Sequence, residues 1–466
     1  MSTINFSGLA SGIDTNALID ATSAAARQTR VDPKQKKVTE LEETNTAFDQ
    51  LEEKLASLRT SLQEFTTLAG GGVSKLASSS KESVVSATAT NAATNGSYGI
   101  TVNQLAKNFT GSFDTTFSSI TAPVLSTINS GDPAVDRTVS FAIGTGSELS
   151  TVNVEIPNGS FTISQFVSAF NSATTKATAS LVNVGTASSP QYKIVVTSNN
   201  EGLEKGQVNI TVGASVTSMT AFTVSQATNA SVDITGIGTV TRPTNSIADV
   251  IPGLSLSLSS LGDSTIKISE DAATTTTKVQ AFVDAYNEIV RFVTENNQIS
   301  RNDSGAEVEN IFGPLASTRT DDGALTAIRS AIASTVTSAG SSVRIFSDLG
   351  ITTERDGTLK FDSSKLQTSV ALEPTSVSAV LQGFADTVAA TGGTIDLYTR
   401  FNGLFDITTN SNKTLITSLN QQIADAEAQI TRNEEQMRAR FARLESQMSR
   451  MQQQQSSLTS ALAGLG

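Results

Sequence analysis

No glycine or proline falls between Lys413 and Leu462. Apolar side chains recur along this stretch at three- and four-residue steps: Leu415, Leu419, Ile423, Ala426, Ile430, Met437, Phe441, Leu444, Met448, Met451, Leu458 and Leu462. Asn433 and Gln455 fill two further slots. From Ile423 to Leu458 there are ten steps in 35 residues, or 3.5 per step, with one local shift at Met437 to Phe441. That is the coiled-coil period. A helix of ~50 residues rising ~1.5 Å each is ~75 Å long, beyond what a globular core covers. It needs a partner helix, and the other end of the chain offers one. Val38, Leu41, Phe48, Leu51, Leu55, Leu58, Leu62 and Phe65 recur mostly at the same steps between Lys34 and Leu68, with Gly70, Gly71 and Gly72 as a stop. The pattern predicts a helical hairpin of the two chain ends, or ends that also pack against other chains. Residues 1–30 are small and poorly patterned, with Gly8 and Gly12, and discourage an isolated helix.

Between the helices the period changes to two. Ser83–Ala89 and Tyr98–Leu105 alternate like a hairpin joined at Asn95–Gly96, and Leu254–Leu258 and Thr265–Ser269 alternate likewise. These pairs are expected to complete one sheet, interrupted by a long insert. Within the insert, Thr138–Ile143, Thr151–Ile156, Tyr192–Thr197 and Gln207–Val212 read as strands, and Ile163–Ser172 as a helix after Thr162. Ala273–Asn296 and Thr326–Val336 carry helical stripes, while Asn302–Gly305 and Asp321–Gly323 read as solvated turns. Leu349–Ile351 and Thr358–Phe361 flank an Asp356–Gly357 hairpin signal. Ser376–Phe384 and Thr394–Leu404 read as helices.

The expected architecture is α+β and multidomain. Terminal coiled-coil helices and a helical bundle region accompany two nested antiparallel β-rich domains in an elongated molecule. The segments are 1–75 (a flexible N-terminal segment and coiled-coil helix), 76–107 and 236–272 (two parts of one β-domain), and 108–235 (an inserted β-rich head). Residues 273–405 form a helical leg region and 406–466 a C-terminal coiled-coil helix.

The 466 residues include no Cys and no His. Thiolate nucleophiles, disulfides, imidazole bases and the common zinc or haem ligand sets are therefore excluded. There is no Gly-Lys dipeptide for a phosphate loop, no three-glycine dinucleotide fingerprint and no G-x-S-x-G elbow. No catalytic, cofactor or metal site is expected. A net charge of −12, with no basic, aromatic-studded patch, argues against nucleic acid. Ser and Thr make up 61 and 63 residues, which suits β-domains with neutral, hydroxyl-covered surfaces. No stretch reaches the ~18 apolar residues of a membrane span. The N-terminus lacks a basic start and an apolar run, so it does not read as a cleavable signal peptide.

What remains concerns assembly. Arg432, Glu434, Glu435, Arg438, Arg440, Arg443, Glu445 and Arg450 flank the apolar seam of the C-terminal stripe, as partner-selecting charges do in coiled coils. Met437, Met448 and Met451 supply adaptable packing.

Residues Phe6-Ser-Gly-Leu-Ala-Ser-Gly-Ile-Asp-Thr-Asn-Ala-Leu-Ile19 resemble the N-terminal signature of the flagellar filament-capping proteins, the hook-associated protein 2 or FliD family. Thr244–Leu258 with Ala281–Val290, Ser347–Leu366 and Arg440–Leu462 are similar to three further stretches of that family, in its order. Phe161–Ala173 with Tyr192–Gly202 resembles a small β-rich module of flagellar hook and filament proteins. One departure stands out: Asp20–Thr29 is small and polar where the family has bulky apolar residues and a Glu.

The resemblance implies a structural protein, not an enzyme. It implies a ring-shaped homo-oligomer, a pentamer, capping the bacterial flagellar filament, where it retains exported flagellin and promotes its folding and polymerisation. The partners it implies are further copies of the chain, flagellin subunits and, before secretion, a flagellar export chaperone, with no nucleic acid and no membrane insertion. It places the protein outside the cell at the flagellum tip, exported through the flagellar apparatus without signal-peptide cleavage. Phe6, Leu9, Ile13, Leu18 and Ile19 are expected to contact filament subunits or to pair with the C-terminal helix. Leu51, Leu55, Leu58, Ile423, Ile430, Met437, Phe441, Leu444, Met448, Met451 and Leu458 are the expected seam. Another axial flagellar subunit, of filament or hook-junction type, and a tip adhesin for host or mucin surfaces are the alternatives.

Overall fold

The structure is a computed structural model that describes residues 14–125, 133–157, 160–302, 309–334 and 341–463. The chain divides into two compact units, one of residues 1–66, 276–369 and 375–466, the other of 67–275 and 370–374.

The first unit opens with helices α1 (Thr15–Arg30) and α2 (Asp32–Gln63). α1 departs from expectation, because no helix was anticipated there. The Asp14 carboxylate accepts a hydrogen bond from the Ala17 amide at 3.0 Å, satisfying one of the otherwise unpaired first-turn donors. Ile19 and Ser23 are buried on one side of α1. Helices this short gain most of their stability from tertiary packing, and that packing outweighs the weak local propensity. α2 follows a break at Val31, with Pro33 in its first turn where a missing N–H costs nothing.

Among its described residues the second unit is mostly β-strand, with two α-helices and a few short 3-10 turns between the strands. In chain order its elements begin with β1 (Lys75–Ser79), β2 (Val85–Ala89), β3 (Gly96–Gln104), β4 (Asn108–Phe113), β5 (Thr138–Ile143) and β6 (Ser150–Glu155). α3 (Ile163–Ala173), β7 (Ala177–Asn183), β8 (Tyr192–Glu201), α4 (Gly202–Gly206), β9 (Val208–Val212) and β10 (Phe222–Ser225) follow. β11 (Ala230–Ile234), β12 (Gly238–Arg242), β13 (Ser246–Ile247), β14 (Leu254–Leu258) and β15 (Gly262–Glu270) complete it.

The hairpin and single sheet expected of the alternating pairs are replaced by two sheets. β2 pairs with β14 in the order β13-β14-β2, whereas β3 lies in the order β1-β15-β3-β11-β12. The apolar faces of both close on one core. Val85, Leu254, Leu256 and Leu258 come from the smaller sheet; Ile100, Val102, Val232, Ile234, Ile266 and Ile268 come from the larger. Alternation buries one face of each strand but does not say which strands are neighbours. β11 lies within the 108–235 span of the expected insert, yet it pairs with β3 and contributes to this core.

A second core gathers Phe109, Phe113, Phe141, Phe166 and Phe170 between the sheets β10-β4-β8-β7 and β6-β5-β9 and helix α3. Phe141 meets Phe170 edge-on, with ring centroids 4.7 Å apart. α3 begins with a reciprocal cap between Thr162 and Gln165. The α3 residue Asn171 docks on edge strand β7: the Ala179 amide donates to its Oδ1 at 2.8 Å, and its Nδ2 donates to the Ala179 carbonyl at 3.0 Å. Asn245 clamps Ala106 in the same two-point way.

The first unit resumes with α5 (Ala272–Asn296), the hairpin of β16 (Ile299–Asn302) and β17 (Glu309–Phe312), and α6 (Thr320–Ala333). β18 (Ile351–Thr353), β19 (Leu359–Phe361), α7 (Ser363–Leu372), α8 (Pro374–Val388), α9 (Thr394–Thr399) and α10 (Leu404–Ala463) follow. Asp321–Gly323 is not the expected solvated turn. It is the first turn of α6, and Asp321 is fully buried, accepting hydrogen bonds from Thr318 Oγ1 at 2.5 Å and Asn297 Nδ2 at 2.8 Å. A carboxylate next to a helix start is favoured by the helix dipole and its unpaired amides, which a turn reading ignores. Asp303, Gly305 and Val336 lie outside the described residues.

β18 and β19 pair across the expected Asp356–Gly357 turn, where Gly357 has φ +85°. Asn287 of α5 clamps this hairpin. The Leu359 amide donates to its Oδ1 at 2.6 Å, and its Nδ2 donates to the Leu359 carbonyl at 2.8 Å. The neighbouring Tyr286 hydroxyl, on a buried ring, donates to the Gly357 carbonyl at 3.1 Å.

Candidate functional site

The terminal helices meet as the periodicity predicts, with α1 and α2 following one another along α10. The register is antiparallel. Phe48 packs on Phe405 with ring centroids 5.1 Å apart, and Asn412 Nδ2 donates to Asn45 Oδ1 at 2.9 Å. Farther along, Arg27 Nε donates to both carboxylate oxygens of Glu427, at 3.1 and 3.2 Å, and its guanidinium lies 3.6 Å from Glu434. Arg30 donates to Gln429 at 3.3 Å. These half-exposed ion pairs are worth ~0–1 kcal/mol each, so they set register while the apolar side chains hold the helices together.

The seam residues divide into three groups. Ile19 and Ile430 are buried, and Ile423 and Met437 are half-buried. Leu51, Leu55 and Leu58 are buried too. Because Phe405 already faces Phe48 and α10 starts at Leu404, Leu55 and Leu58 lie past the start of α10. They fill the helical body and are not part of the terminal seam. Along the rest of α10, Phe441 and Met448 are half-buried, while Leu444, Met451 and Leu458 are 46%, 67% and 65% exposed. The register puts Thr15, where α1 begins, opposite about residue 442 of α10, at ~1.5 Å per residue on each helix. The final stretch of α10, ~30 Å long, therefore carries its apolar stripe with no described helix of this chain against it. Leu18 is half-exposed on α1, and Phe6, Leu9 and Ile13 lie outside the described residues.

The root of α10 is acidic. Burial, then Asp49, then Asp406 hold the Glu52 carboxyl above its usual range. Tyr398 packs on Phe405 at 5.5 Å, and Arg59 reaches the Ala389 carbonyl at 3.1 Å and Asp396 at 3.4 Å, tying α2 to the end of α8 and to α9, which precede α10. These anchors were not among the expected site residues. Their only sequence trace was Phe48 and a lone Arg on α2, Tyr398, and Phe405 at the start of α10. Among the described residues no His, Cys, Asp or Glu cluster could hold a metal ion, and no helix is long and apolar enough to cross a membrane.

Residues 227–460 match the family described as flagellar hook-associated protein 2 C-terminus, and residues 11–108 match its N-terminus counterpart. The B-type flagellar hook-associated protein 2 of Pseudomonas aeruginosa is 26% identical over 443 residues, 90% of this chain and 89% of that protein. The A-type protein of the same species is 26% identical over 487 residues, 99% of this chain and 98% of that protein. In fold, the D1-D2-D3 domains of the flagellar cap protein FliD from Escherichia coli superpose with a TM-score of 0.58. They are 22% identical, covering 78% of this chain and 99% of that one. With the C-terminal match alone spanning half of its length, the chain belongs to the flagellar hook-associated protein 2 family.

Proposed function

We propose that this chain forms the cap at the tip of the bacterial flagellar filament. It retains exported flagellin there and promotes its folding and polymerisation. The observation that carries this reading is the open apolar seam of α10 from Leu444 to Leu458, in a chain of this family, rooted on a packed helical body. Such a seam is built for another protein, because exposed apolar stripes on a rigid helix are otherwise an aggregation liability. The mechanism is mechanical: subunits added to the filament displace terminal helices, which rebind one step on. No covalent step is involved, which agrees with a chain without Cys or His.

The finer assignments belong to the same proposal. The chain assembles as a pentameric ring outside the cell, after export through the flagellar apparatus without cleavage. Phe6, Leu9, Ile13 and Leu18 contact filament subunits, and the seam of α10 is held by an export chaperone before secretion. The domain segments correspond to a leg, a plate and an inserted head. A deletion strain should secrete unpolymerised flagellin, and micrographs of purified protein should show small rings. Normal filaments in that strain would end the reading, and tubes in the micrographs would indicate a filament or junction subunit.

A further inference from the structure

The hairpin β16–β17 leaves one strand edge open beside α2. The two strands form a sheet of their own, with Ile299 facing Phe312 and Ser300 facing Ile311. The Gly313 amide donates to the Gln298 carbonyl at 2.8 Å. Hydrogen-bonded pairs alternate in an antiparallel ladder, so the next is Ser300 with Ile311. The N–H and C=O groups of Asn310 and Phe312 therefore point away from β16. They face a cavity of about 620 Å³ whose other wall is α2, lined by Lys36, Lys37, Glu40 and Glu43. Thr44 Oγ1 donates to the Pro314 carbonyl at 2.8 Å and joins α2 to the segment after β17.

Three features of this hairpin ask for a third strand. A lone two-stranded sheet is marginal in water. Its apolar side chains are exposed on both faces: Phe312 is 59% exposed, and Ile299 and Ile311 are similarly open. Edge strands are ordinarily blunted by charge or proline. β16 carries Arg301, but the outward positions of β17 are Asn310 and Phe312. The dimensions agree as well. The α2 wall from Lys36 to Thr44 is ~12 Å long at ~1.5 Å per residue. A four-residue strand matching β17 is ~13 Å long.

We propose that this groove accepts an extended segment of another protein, which adds to β17 as a third strand. Backbone groups of the segment pair with Asn310 and Phe312, an apolar side chain covers Phe312, and a basic side chain reaches Glu43. Lys37 is 3.0 Å from Glu40, whereas Glu43 forms no ion pair with a described residue. A second copy of this chain fits less well. The groove, walled by a helix, admits a single strand, and the other strands of the described residues are already members of sheets. The site does not depend on the filament-cap reading and would stand if that reading failed.

The test uses the full chain and the labelled hexapeptide Ac-KTVTVT-NH2. Titration by fluorescence anisotropy should show saturable binding, and amide exchange at Asn310 and Phe312 should slow at least ~10-fold at saturation while Ile311 stays unchanged. Asn310→Pro removes an outward N–H without touching the pairing to β16, and should weaken binding at least ~10-fold with an unchanged far-UV spectrum. Should that variant misfold, the same peptide N-methylated at alternate residues decides the question, since it should not bind. Equal binding of the methylated peptide, or no binding at millimolar concentration, overturns the proposal. So does protection of Asn310 and Phe312 without peptide that tracks dimer formation in sedimentation, which would assign the groove to a second copy.

Discussion

Two substitutions on α10 test the proposal that one part of its stripe holds this chain together and another part contacts a partner. Ile430 is 2% exposed and Leu444 is 46% exposed, though both lie on the same seam. Ile430→Ala should cost about 2–5 kcal/mol, the range for truncating a buried aliphatic side chain. Leu444→Ala should cost less than about 1 kcal/mol in the isolated chain, because the side chain is already half in water. Its value appears only when a partner covers it. Full burial of a leucine is worth about 1.5–3 kcal/mol, so the 46% still exposed leaves about 0.7–1.4 kcal/mol for the partner, or about three- to tenfold in affinity. Leu444→Asp adds the larger cost of an unpaired charge in an apolar interface while leaving the free chain folded. The assay pairs urea denaturation of the purified protein, followed through α10 by hydrogen exchange, with swimming of cells carrying each variant. The expected result is an intact Leu444→Asp chain in non-motile cells and a destabilised Ile430→Ala chain. If Leu444→Asp loosened residues 404–440 as much as Ile430→Ala does, Leu444 would be a core residue and the reasoning refuted. Unchanged swimming would refute the assignment of the seam to filament attachment.

Three further outcomes follow from single residues. Asn287→Ala leaves the Leu359 amide and carbonyl without their clamp and should cost about 1–3 kcal/mol, with exchange first accelerated across 351–361; a uniform effect over the whole unit would contradict a local clamp. Glu52 has its pKa raised above the unfolded value, so the folded state holds its proton more tightly and stability falls as pH rises through the window just above the ordinary carboxyl range. Glu52→Gln should therefore raise the melting temperature at pH 7 and change it little at pH 4, and an equal shift at both would sink this account. Asp321→Ala strips the acceptor from Thr318 and Asn297 and should destabilise the chain by about 1–3 kcal/mol, read by urea midpoint at constant slope.

Much of the fold was legible because burial writes its period into the chain. The 3.5-residue stripe from Ile423 to Leu458 required a partner helix, and α2 with α1 supplies it as far as about Phe441. The Asp356–Gly357 hairpin and the Thr162 cap were legible because a left-handed φ and a first-turn donor each demand particular residues. α1 was not legible, since its small side chains become a helix only once Ile19 and Ser23 are buried and Arg27 finds Glu427. Asp321 was misread in part for the same reason: Thr318 is a local partner, but Asn297 reaches it only when the end of α5 packs against the start of α6.

The sequence alone determined most of the longer helices and strands, the need of the C-terminal stripe for a partner helix, the exclusion of thiol and imidazole chemistry, and the resemblance to a flagellar family. Those are properties of residue type and spacing, which survive without coordinates. Tertiary structure decided which strands are neighbours, so that β2 and β3 part into two sheets around one core. It also decided where, among the described residues, the seam is covered and where its apolar side chains are exposed, and it opened the edge of β17 beside α2. Periodicity names the face of an element that must be covered; only the packed chain shows whether this molecule covers it or leaves it for another.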